Sequence, residues 1–390
     1  MGWLQTLVRA ATQRRAPAVK SAPMPFAALH LQGQARWSSR SYASIAREGY
    51  MRNPIAHRAV RMIAENASAI PWLLYQGGAE LEDHPLLALL RRPNPHESGV
   101  VFLEMFYAYL QLSGNAYLEA VTLEDQVRAL YCLRPDRISA IGGVDGWPEA
   151  YAYHIDGQVV RYVQDGPQVE KPILHVKLFH PLDDHCGMSP LEAAASAVDL
   201  HNAGSAWNKA LLDNAAQPSG ALIYQGRDGE RNLTEEQFQR LKSELRNEYQ
   251  GAANAGRPLV LEGGLSWAQM SLSPQDMDFI NARHIAAREI ALAFGVPPML
   301  LGIPGDNTYS NYREANLAFW RQTIIPLVSK VTDALSAWLV PRFGEGLALA
   351  ADLDAIPALA SEREALWAQV NAVSFLDENE KRAAVGYGTR

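Results

Sequence analysis

The sequence predicts an α+β fold that is mainly helical. Three long segments with helical spacing of apolar residues and recognisable start signals occupy much of the second half of the chain. Segments with strand-like alternation lie mainly within residues 116–163, and helices and strands follow each other in mixed order rather than as repeated βαβ units. The two observations together indicate an α+β unit followed by long helices.

Length and composition limit the class of protein. The chain has 390 residues, enough for two or three compact units, and 48% of them are hydrophobic, which excludes disorder throughout. A formal net charge of −7 excludes a chain-wide basic surface for binding nucleic acid. Cys132 and Cys186 form no CxxC motif, which excludes a disulfide framework or a zinc ribbon and fits a reducing compartment.

No membrane association is expected from the charge pattern. The longest charge-free stretch, Ile290–Gly305, has 16 residues that include three prolines and three glycines. It is too short and too broken to cross a bilayer, which requires about 20 helical residues.

Residues 1–52 differ from the rest of the chain in charge. They contain eight basic residues against the single acid Glu48. Such a segment could be an organelle transit peptide, but three prolines within residues 16–25 favour a flexible basic arm. The arm could contact DNA phosphates or an acidic partner.

The α+β unit begins at Asn53-Pro54, a helix start in which Asn caps free N–H groups and Pro occupies the first helical position. Pro71 marks its end. Short helices are expected over about 85–91 and 98–112. The alternating segments Ala116–Thr122 and Val127–Leu133 predict a hairpin, and residues 147–163 predict further strand and turn.

The first two long helices each begin at a serine followed by proline. Ser189 opens a helix predicted to reach about Asn214, roughly 40 Å long, and Ser273 opens another that Gly295 ends, roughly 30 Å long. His201 and His284 lie on these helices and are expected to be packed rather than catalytic.

The third long helix opens at Asn311, with Glu314 three residues later. Pro326 lies inside it, so a kink is expected near residues 321–326. The inward stripe is predicted to comprise Leu317, Trp320, Ile324, Val328, Val331, Leu335 and Trp338.

A compact insertion, residues 217–272, separates the first two long helices. It is predicted to contain a strand over Ala221–Tyr224, a helix capped by Thr234 and Gln237, a turn over Gly251–Gly256, and a strand over Pro258–Glu262. Two long helices with a small domain at their far end correspond to a stalk that carries a small domain at its tip.

Motifs for common enzymatic chemistry are missing. The sequence has no GxxxxGK[ST], GxGxxG, GxSxG or HExxH. The richest polar cluster consists of His180, Asp183, Asp184, His185 and Cys186, preceded by His175. These residue types suit zinc or manganese, which makes a metal-dependent hydrolase the alternative hypothesis, but Asp-Asp in a Pro-containing turn is also ordinary loop chemistry.

The segment Leu300–Asn311 is a second place where function is expected. It joins two long helices and contains several glycines and hydrogen-bonding side chains. It is either a connecting loop without a function of its own or a functional loop held by a rigid scaffold.

The order and spacing of several segments resemble the portal proteins of tailed double-stranded DNA phages. The segments that carry the resemblance are NPIAHRAVRMIAENASAIPW (53–72), HPLLALLRRPNP (84–95), SGNAY (113–117), LRPDR (133–137), HVKLFHPLDDHCGMSPLEAA (175–194), QPSGAL (217–222), GRPLVLEGG (256–264), LSPQD (272–276), IALAFGVPPMLLG (290–302), TYSN (308–311) and LDENEKRAAVGY (376–387). The chain also resembles portals of gene transfer agents, because the segment after the third long helix is short.

The resemblance implies a ring, usually a dodecamer, at one capsid vertex. Double-stranded DNA would be packaged and ejected through this channel, which would connect the head to the packaging motor and then to the tail. The implied parts are a wing (53–188), stem helices (189–216 and 273–297), a clip (217–272), a tunnel loop (298–311), a kinked wing helix (312–341) and a short C-terminal crown (342–390), after a basic N-terminal arm (1–52).

The resemblance also implies the functional residues and partners. Asp306, Asn307, Thr308 and Tyr309 would line the channel at the tunnel loop, and Lys209, Arg283 and Arg288 are stem residues that could touch DNA weakly. Partners would be further copies of the chain, the terminase large subunit, a head-tail adaptor and the major capsid protein. No enzymatic activity, cofactor or metal is expected. The ring would be assembled in the bacterial cytoplasm and reside in the virion.

Two physical arguments agree with this interpretation. A stalk of two amphipathic helices leaves apolar stripes that neighbouring copies would cover in a closed ring. A net negative chain suits a DNA conduit, because a wall that bound phosphate tightly would hold the DNA. A third hypothesis, a peripheral binding module, would instead depend on the basic arm.

Overall fold

The structure is a computed structural model in which the chain divides into Met1–Trp37 and a unit formed by Ser38–Arg390. The residues described are 37–144, 146–164, 171–213, 220–224, 234–249, 265–269, 279–305 and 309–386.

Helices make up most of the second unit. The α-helices are α1 (Tyr42–Ile45), α2 (Pro54–Ser68), α3 (Pro85–Arg91), α4 (Gly99–Ser113), α5 (Pro190–Ala193), α6 (Ala195–Asp213), α7 (Glu235–Tyr249), α8 (Phe279–Ala293), α9 (Tyr309–Phe319), α10 (Ile325–Leu339), α11 (Ala360–Ala372) and α12 (Glu378–Ala384). Two π-helical turns, Ala46–Met51 and Trp320–Ile324, join neighbouring helices. Short 3-10 turns occur at Pro135–Arg137, Pro298–Leu301, Val340–Arg342, Leu353–Ala355 and Pro357–Leu359.

Among the described residues, the strands form four small antiparallel sheets. The strands are β1 (Trp72–Gln76), β2 (Ala79–Glu80), β3 (Asn115–Leu123), β4 (Gln126–Leu133), β5 (Ile138–Gly142), β6 (Pro148–Ile155), β7 (Gln158–Val163), β8 (Ile173–Lys177), β9 (Gly220–Tyr224), β10 (Leu265–Gln269) and β11 (Leu347–Ala351). The strand orders are β11-β1-β2, β4-β3-β8, β5-β6-β7 and β10-β9. The predicted α+β class, mainly helical, is confirmed.

The main core lies where α2, α4 and α10 pack together. Phe102, Phe106 and Leu110 on α4 are buried, and so are Ile63 on α2 and Val331 on α10, all in one apolar cluster. The start of α2 follows the predicted chemistry, because Asn53 Oδ1 accepts hydrogen bonds from the N–H groups of Ile55 and Ala56 at 3.0 and 3.1 Å. These contacts fix the body from which the stem helices extend.

The predicted hairpin is present with a tighter turn than expected. Strands β3 and β4 extend to Leu123 and Gln126, so that only Glu124 and Asp125 form the turn, with φ of 52° and 56°. Positive φ at both positions is the geometry of a two-residue turn, which matches the twist of the paired strands.

The predicted basic arm ends earlier than residue 52. Residues 42–51 are helical, Ile45 belongs to the main core, and Gly49 packs on Leu191 so closely that an added Cβ would lie 2.4 Å from its side chain. The residues from Ser38 onward therefore belong to the folded unit rather than to an arm.

The boundary of the predicted crown is also wrong. Strand β11 pairs along its whole length with β1, with Leu349 opposite Leu74. The first part of the segment 342–390 is thus hydrogen-bonded into a sheet of the α+β unit, and only the residues after β11 can form a separate crown.

The first long helix is interrupted where a continuous helix was expected. Ala194, with φ −86° and ψ 2°, separates α5 from α6. The Ser189 hydroxyl caps α5 by accepting from the Leu191 N–H at 3.0 Å, and it donates to the carbonyl of Gln111 at 2.8 Å. The predicted start is confirmed. Helix α6 is described as far as Asp213, and the predicted end at Asn214 lies outside the described residues.

The third long helix departs from α-geometry at Trp320–Ile324, immediately before Pro326. This is where the proline was expected to disturb the helix. All seven residues of its predicted inward stripe are buried. By length and composition, Asn311–Arg342 could cross a membrane, but 44% of its most apolar window is buried in the fold. That is weak evidence for a membrane span, since core helices meet the same criterion.

The insertion between the stem helices is partly described. Strand β9 and helix α7 lie where they were predicted, and the Thr234 hydroxyl and the Gln237 side chain form the predicted reciprocal cap. Strand β10 pairs with β9 and was not predicted. The expected turn over 251–256 and strand over 258–262 lie outside the described residues, as do the predicted cap at Ser273 and Asp276.

Candidate channel site and its supporting stem

Helices α6 and α8 pack against each other and form the described part of the stem. Gly204 on α6 faces Arg283 on α8, and an added Cβ at Gly204 would lie 2.8 Å from Arg283 Cγ. A glycine in a helix interior costs about 1 kcal/mol relative to alanine. Here it allows the long arginine side chain to lie between the two helices.

The base of the stem is joined to the α+β unit by buried amides. Asn53 Nδ2 donates to His201 Nδ1 at 3.2 Å and to Asn202 Oδ1 at 3.0 Å, and Asn202 Nδ2 donates to the carbonyl of Glu48 at 2.9 Å. The residue that caps α2 thus also holds α6.

A carboxylate on α6 holds the beginning of the folded unit. Asp199 accepts from the Ser38 N–H at 2.9 Å and from the Ser38 hydroxyl at 2.6 Å. This pair fixes one end of the stem where the chain enters the unit.

Apolar side chains remain exposed on both stem helices. Leu200 and Trp207 on α6 are 43% and 41% exposed, and Ile285 and Leu292 on α8 are 56% and 79% exposed. Each pair is seven residues apart, so its members lie two helical turns apart on one face. Such faces mark interaction surfaces.

The first part of the predicted tunnel loop is fixed to α8 by Arg288. Its guanidinium donates to the carbonyl of Pro304, and an added Cβ at Gly305 would lie 2.5 Å from Arg288 Nη2. A side chain at position 305 would therefore displace the end of Arg288 from this position. Asp306, Asn307 and Thr308 lie outside the described residues, and Tyr309 is the first residue of α9.

The end of α8 is fixed in a similar way. Gly295 has φ of +63°, and its carbonyl accepts from the Thr323 hydroxyl at 2.6 Å. Thr323 belongs to the π-helical turn of the third long helix. The irregular turn thus contacts the stem just before the loop segment.

The three predicted stem cations occupy different environments. Lys209 is exposed near the end of α6, and Arg288 is exposed on α8 while contacting Pro304. Arg283 is half-buried, and its Nε has no hydrogen-bond partner in the described part of the chain. A direct DNA contact by any of the three remains a prediction, and the burial of Arg283 makes it the least accessible.

His175, from the predicted polar cluster, is part of a satisfied buried network. Its ring stacks on Tyr117, its Nε2 lies 2.9 Å from Asn115 Oδ1, and its Nδ1 lies 3.2 Å from the Tyr151 hydroxyl. Burial, with a smaller effect of Lys177, lowers the pKa of His175 from 6.5 to about 3. The imidazole is therefore neutral, donating from Nε2 and accepting at Nδ1.

The remaining residues of that cluster shape a loop. Asp183 Oδ1 accepts from the N–H groups of His185 and Cys186 at 2.7 and 2.9 Å, and the backbone donors, that of Cys186 first, lower the pKa of Asp183. His180 Nδ1 accepts from the Leu182 N–H at 3.1 Å. Over the residues with described positions, no three His, Cys, Asp or Glu side chains converge as a metal site. The alternative hypothesis of a metal-dependent hydrolase therefore has no observation in its favour.

Two functional contacts were missed at the sequence level. The Asn53–His201 hydrogen bond and the Arg288–Pro304 contact join residues far apart in the chain. A usable signal for the second contact was Gly305 after a proline, since such a glycine often marks a close approach.

Comparisons with known proteins agree on one family. The sequence profile described as "Phage portal protein" matches residues 54–386. A protein of Rickettsia bellii (strain RML369-C), named "Uncharacterized protein", is 44% identical over 341 residues, covering 87% of this chain and 88% of the relative.

Two solved structures are similar over nearly the whole chain. One, titled "Neck of empty GTA particle computed with C6 symmetry", is 50% identical with a TM-score of 0.73 and covers 92% of this chain and 96% of its own. The other, titled "Neck of native GTA particle computed with C12 symmetry", is 48% identical with a TM-score of 0.70 and covers 93% and 98%. The profile match and these two structures agree with the exposed apolar faces of the stem helices. They establish that this chain belongs to the phage portal protein family and is a ring-forming portal subunit of the DNA channel at the capsid vertex.

Proposed function

We propose that twelve copies of this chain form the portal ring of a particle of the gene-transfer-agent type. Identities of 48% and 50% to neck structures over more than nine-tenths of both chains support this proposal, and one of those structures was computed with C12 symmetry. In this ring, DNA enters and leaves through the central channel.

The observation that carries the proposal is the uncovered apolar face of the stem. Burying a large apolar side chain contributes about 1.5–3 kcal/mol. Leu200, Trp207, Ile285 and Leu292 stay exposed in the single chain. A neighbouring stem would bury this face, and cyclic symmetry would repeat the contact until the ring closed.

The parts of the subunit follow the portal arrangement. The wing comprises 53–188 with the kinked helix 312–341 and, by its strand pairing, β11. The stem comprises 189–216 and 273–297, the clip 217–272 and the tunnel loop 298–311. The residues after β11 form a small crown.

The channel-lining role belongs to the tunnel loop. Asp306, Asn307, Thr308 and Tyr309 would meet the DNA, with the loop held from one side by Arg288. Lys209, Arg283 and Arg288 would add weak contacts that depend on charge and not on sequence. Each basic side chain that neutralises a DNA phosphate strengthens binding. Because the chain has more acidic than basic residues, the channel wall would bind DNA weakly and let it pass.

The partners would bind at different places and times. The clip would dock the terminase large subunit and later a head-tail adaptor, and the wing would contact the major capsid protein. The subunit itself would be non-catalytic and would require no cofactor. It would assemble in the bacterial cytoplasm before the particle is filled.

Electron microscopy of the purified full chain tests the ring. We expect particles with a central hole and twelvefold rotational symmetry. A protein that stays monomeric at high concentration and is absent from the particle vertex would contradict the proposal.

A loop deletion tests the channel-lining role separately. Removing Asp306–Tyr309 should leave rings intact and reduce the DNA content of particles, measured by nuclease-protected DNA per particle. Unchanged DNA content in intact rings would remove the role assigned to the loop.

A further inference from the structure

A cavity of about 170 Å³ lies between the base of the stem and the first part of the tunnel loop. Ile55, Ala287 and Ile303 form an apolar part of its wall, and Gly302 and Pro304 form another part. The cavity therefore connects α2, α8 and the loop segment. Its volume equals that of roughly five or six water molecules in the liquid.

The charged and titratable groups that line the cavity are all basic. They are His201 on α6 and Arg283 and His284 on α8. In the described part of the chain, no carboxylate lines the cavity. Arg288 adds a further positive charge at its edge, because its guanidinium contacts the carbonyl of Pro304.

Arg283 is held in place with an unused donor. Its aliphatic carbons pack over Gly204, and its Nε is buried without a hydrogen-bond partner among the described residues. A buried donor without a partner is destabilising, and more so when it is charged. An acceptor that carries negative charge would remove this cost.

The His201 ring is positioned by a hydrogen bond at Nδ1. Its Nδ1 lies 3.2 Å from Asn53 Nδ2, which can only donate, so the proton of the neutral ring is on Nε2. Burial first, and then the charges of Arg283 and His284, lower the pKa of His201. Protonation of His201 is therefore disfavoured in the single chain.

We propose that this cavity binds a phosphate-type oxyanion, held by Arg283, His201 and His284. Guanidinium and imidazole donors make strong charge-assisted hydrogen bonds with such anions. The ion could be free inorganic phosphate or a phosphate group of the DNA backbone. In either case it would join α8 and the base of α6 to the Gly302–Pro304 segment and so stiffen the support of the tunnel loop.

The first test is calorimetric titration of the assembled full chain with inorganic phosphate at constant ionic strength. We expect saturable binding that Arg283→Gln weakens about tenfold or more, because one charge-assisted hydrogen bond contributes more than the 1.4 kcal/mol of a tenfold change. Lys330→Gln, which removes an exposed cation of α10 that does not line the cavity, should bind as the unmodified chain does. Absence of saturable binding would overturn the proposal.

A second variant covers the case in which Arg283→Gln does not fold. His284→Gln removes another lining donor without disturbing the contact at Gly204, and it should also weaken phosphate binding. Equal affinity in the unmodified chain and in every folded variant of the lining residues would overturn the site. Either failure would leave the ring and its symmetry untouched, so it is distinguishable from failure of the proposed portal function.

A competition experiment distinguishes free inorganic phosphate from a phosphate group of the DNA backbone as the bound anion. If the site holds a free ion, double-stranded DNA will not displace bound phosphate. If it holds backbone phosphate, DNA will displace it, and Arg283→Gln will weaken the displacing DNA as well. Both outcomes support the oxyanion chemistry.

Sulfate can test the dependence on pH, because its charge is constant between about pH 4 and pH 8. This range reaches below the ordinary histidine value of 6.5, as the lowered pKa of His201 requires. Protonated His201 would bind the anion better, so sulfate affinity should fall as the pH rises. The charges that face His201 are those of Arg283 and His284, and both oppose its protonation until the anion binds. Unchanged sulfate affinity across the range would overturn the part assigned to the imidazoles.

Discussion

The polar network around His175 in the wing is satisfied within the chain, whereas apolar side chains of the stem helices stay uncovered. The wing residue His175 uses both ring nitrogens, and Asn115 Oδ1 also accepts from the Gly187 N–H at 2.7 Å. On α8, by contrast, Ile285 and Leu292 are exposed.

The difference separates two sources of stability. A satisfied buried network and a large core stabilise the wing as a unit that folds by its own contacts. The stem leaves an apolar face and a basic cavity that a second molecule can complete. Substitutions in the two regions should therefore differ in whether they affect the subunit or the assembly.

The largest effect on subunit stability is expected from Ala287→Pro. Ala287 is buried inside α8, where proline removes a backbone hydrogen bond and clashes with the preceding turn, at a cost of about 3 kcal/mol or more. We expect a lower melting temperature and no rings in electron micrographs. Ala287→Gly is the matched control, since it costs about 1 kcal/mol and leaves the helix continuous. Rings of normal size in the proline variant would mean that α8 does not carry the stem contacts.

The next effect is expected in the wing, from Asn115→Ala. The substitution removes the acceptor of His175 Nε2 and of the Gly187 N–H, two buried donors that would each lose about 1–3 kcal/mol. We expect a loss of about 3 kcal/mol in the free energy of unfolding, measured by denaturant titration. Asn66→Ala, which removes one bond from its amide to the Met62 carbonyl, should cost less than half as much. Equal costs would show that the network is not cooperative.

A smaller effect depends on pH. The pKa of His175 is lowered to about 3 in the folded state, so between that value and 6.5 the unfolded chain binds one more proton than the folded chain. The stability that His175 contributes is complete above about pH 6.5 and is lost as the pH falls, by up to about 1.4 kcal/mol per pH unit. His175→Gln should have a shallower dependence of unfolding free energy on pH between about 4 and 6. Parallel curves for the two proteins would contradict this.

The sequence predicted the features that depend on neighbouring residues. The caps at Asn53, Ser189 and Thr234 are present because the side chain and the N–H groups that it caps lie within three residues of each other. The inward stripe of the third long helix is buried for the same reason, since helical spacing alone sets which residues share a face.

Features that depend on distant residues were not predictable. Strand β11 joins β1 from the other end of the chain, and the interruption at Ala194 follows a serine that also contacts Gln111. In the candidate site, Arg288 was identified as a stem cation, but its contact with Pro304 requires the fold. The polar cluster at residues 175–186 also divides in the fold in a way that the sequence does not show: His175 joins a network with Asn115 and Tyr151, whereas His180 and Asp183 shape a loop.

The smallest effect on the subunit is expected from Leu292→Asp, which tests the comparison most directly. Leu292 is exposed on α8, so replacing it should change the free energy of unfolding of the single chain by less than about 0.5 kcal/mol. In a ring, however, each interface would lose the burial of a leucine, about 1.5–3 kcal/mol, and gain a charge that must be desolvated. We therefore expect normal thermal unfolding of the monomer together with loss of rings in sedimentation.

Leu123→Asp is the matched control for this variant. Leu123 is also exposed, but it lies at the turn of the wing hairpin, away from the stem helices in the chain. It should leave both the subunit and the ring intact. If both variants form rings, the apolar face of α8 is not an interface. If Leu292→Asp destabilises the monomer, the stem face is already covered within one chain, and the distinction between a self-sufficient wing and an incomplete stem is wrong.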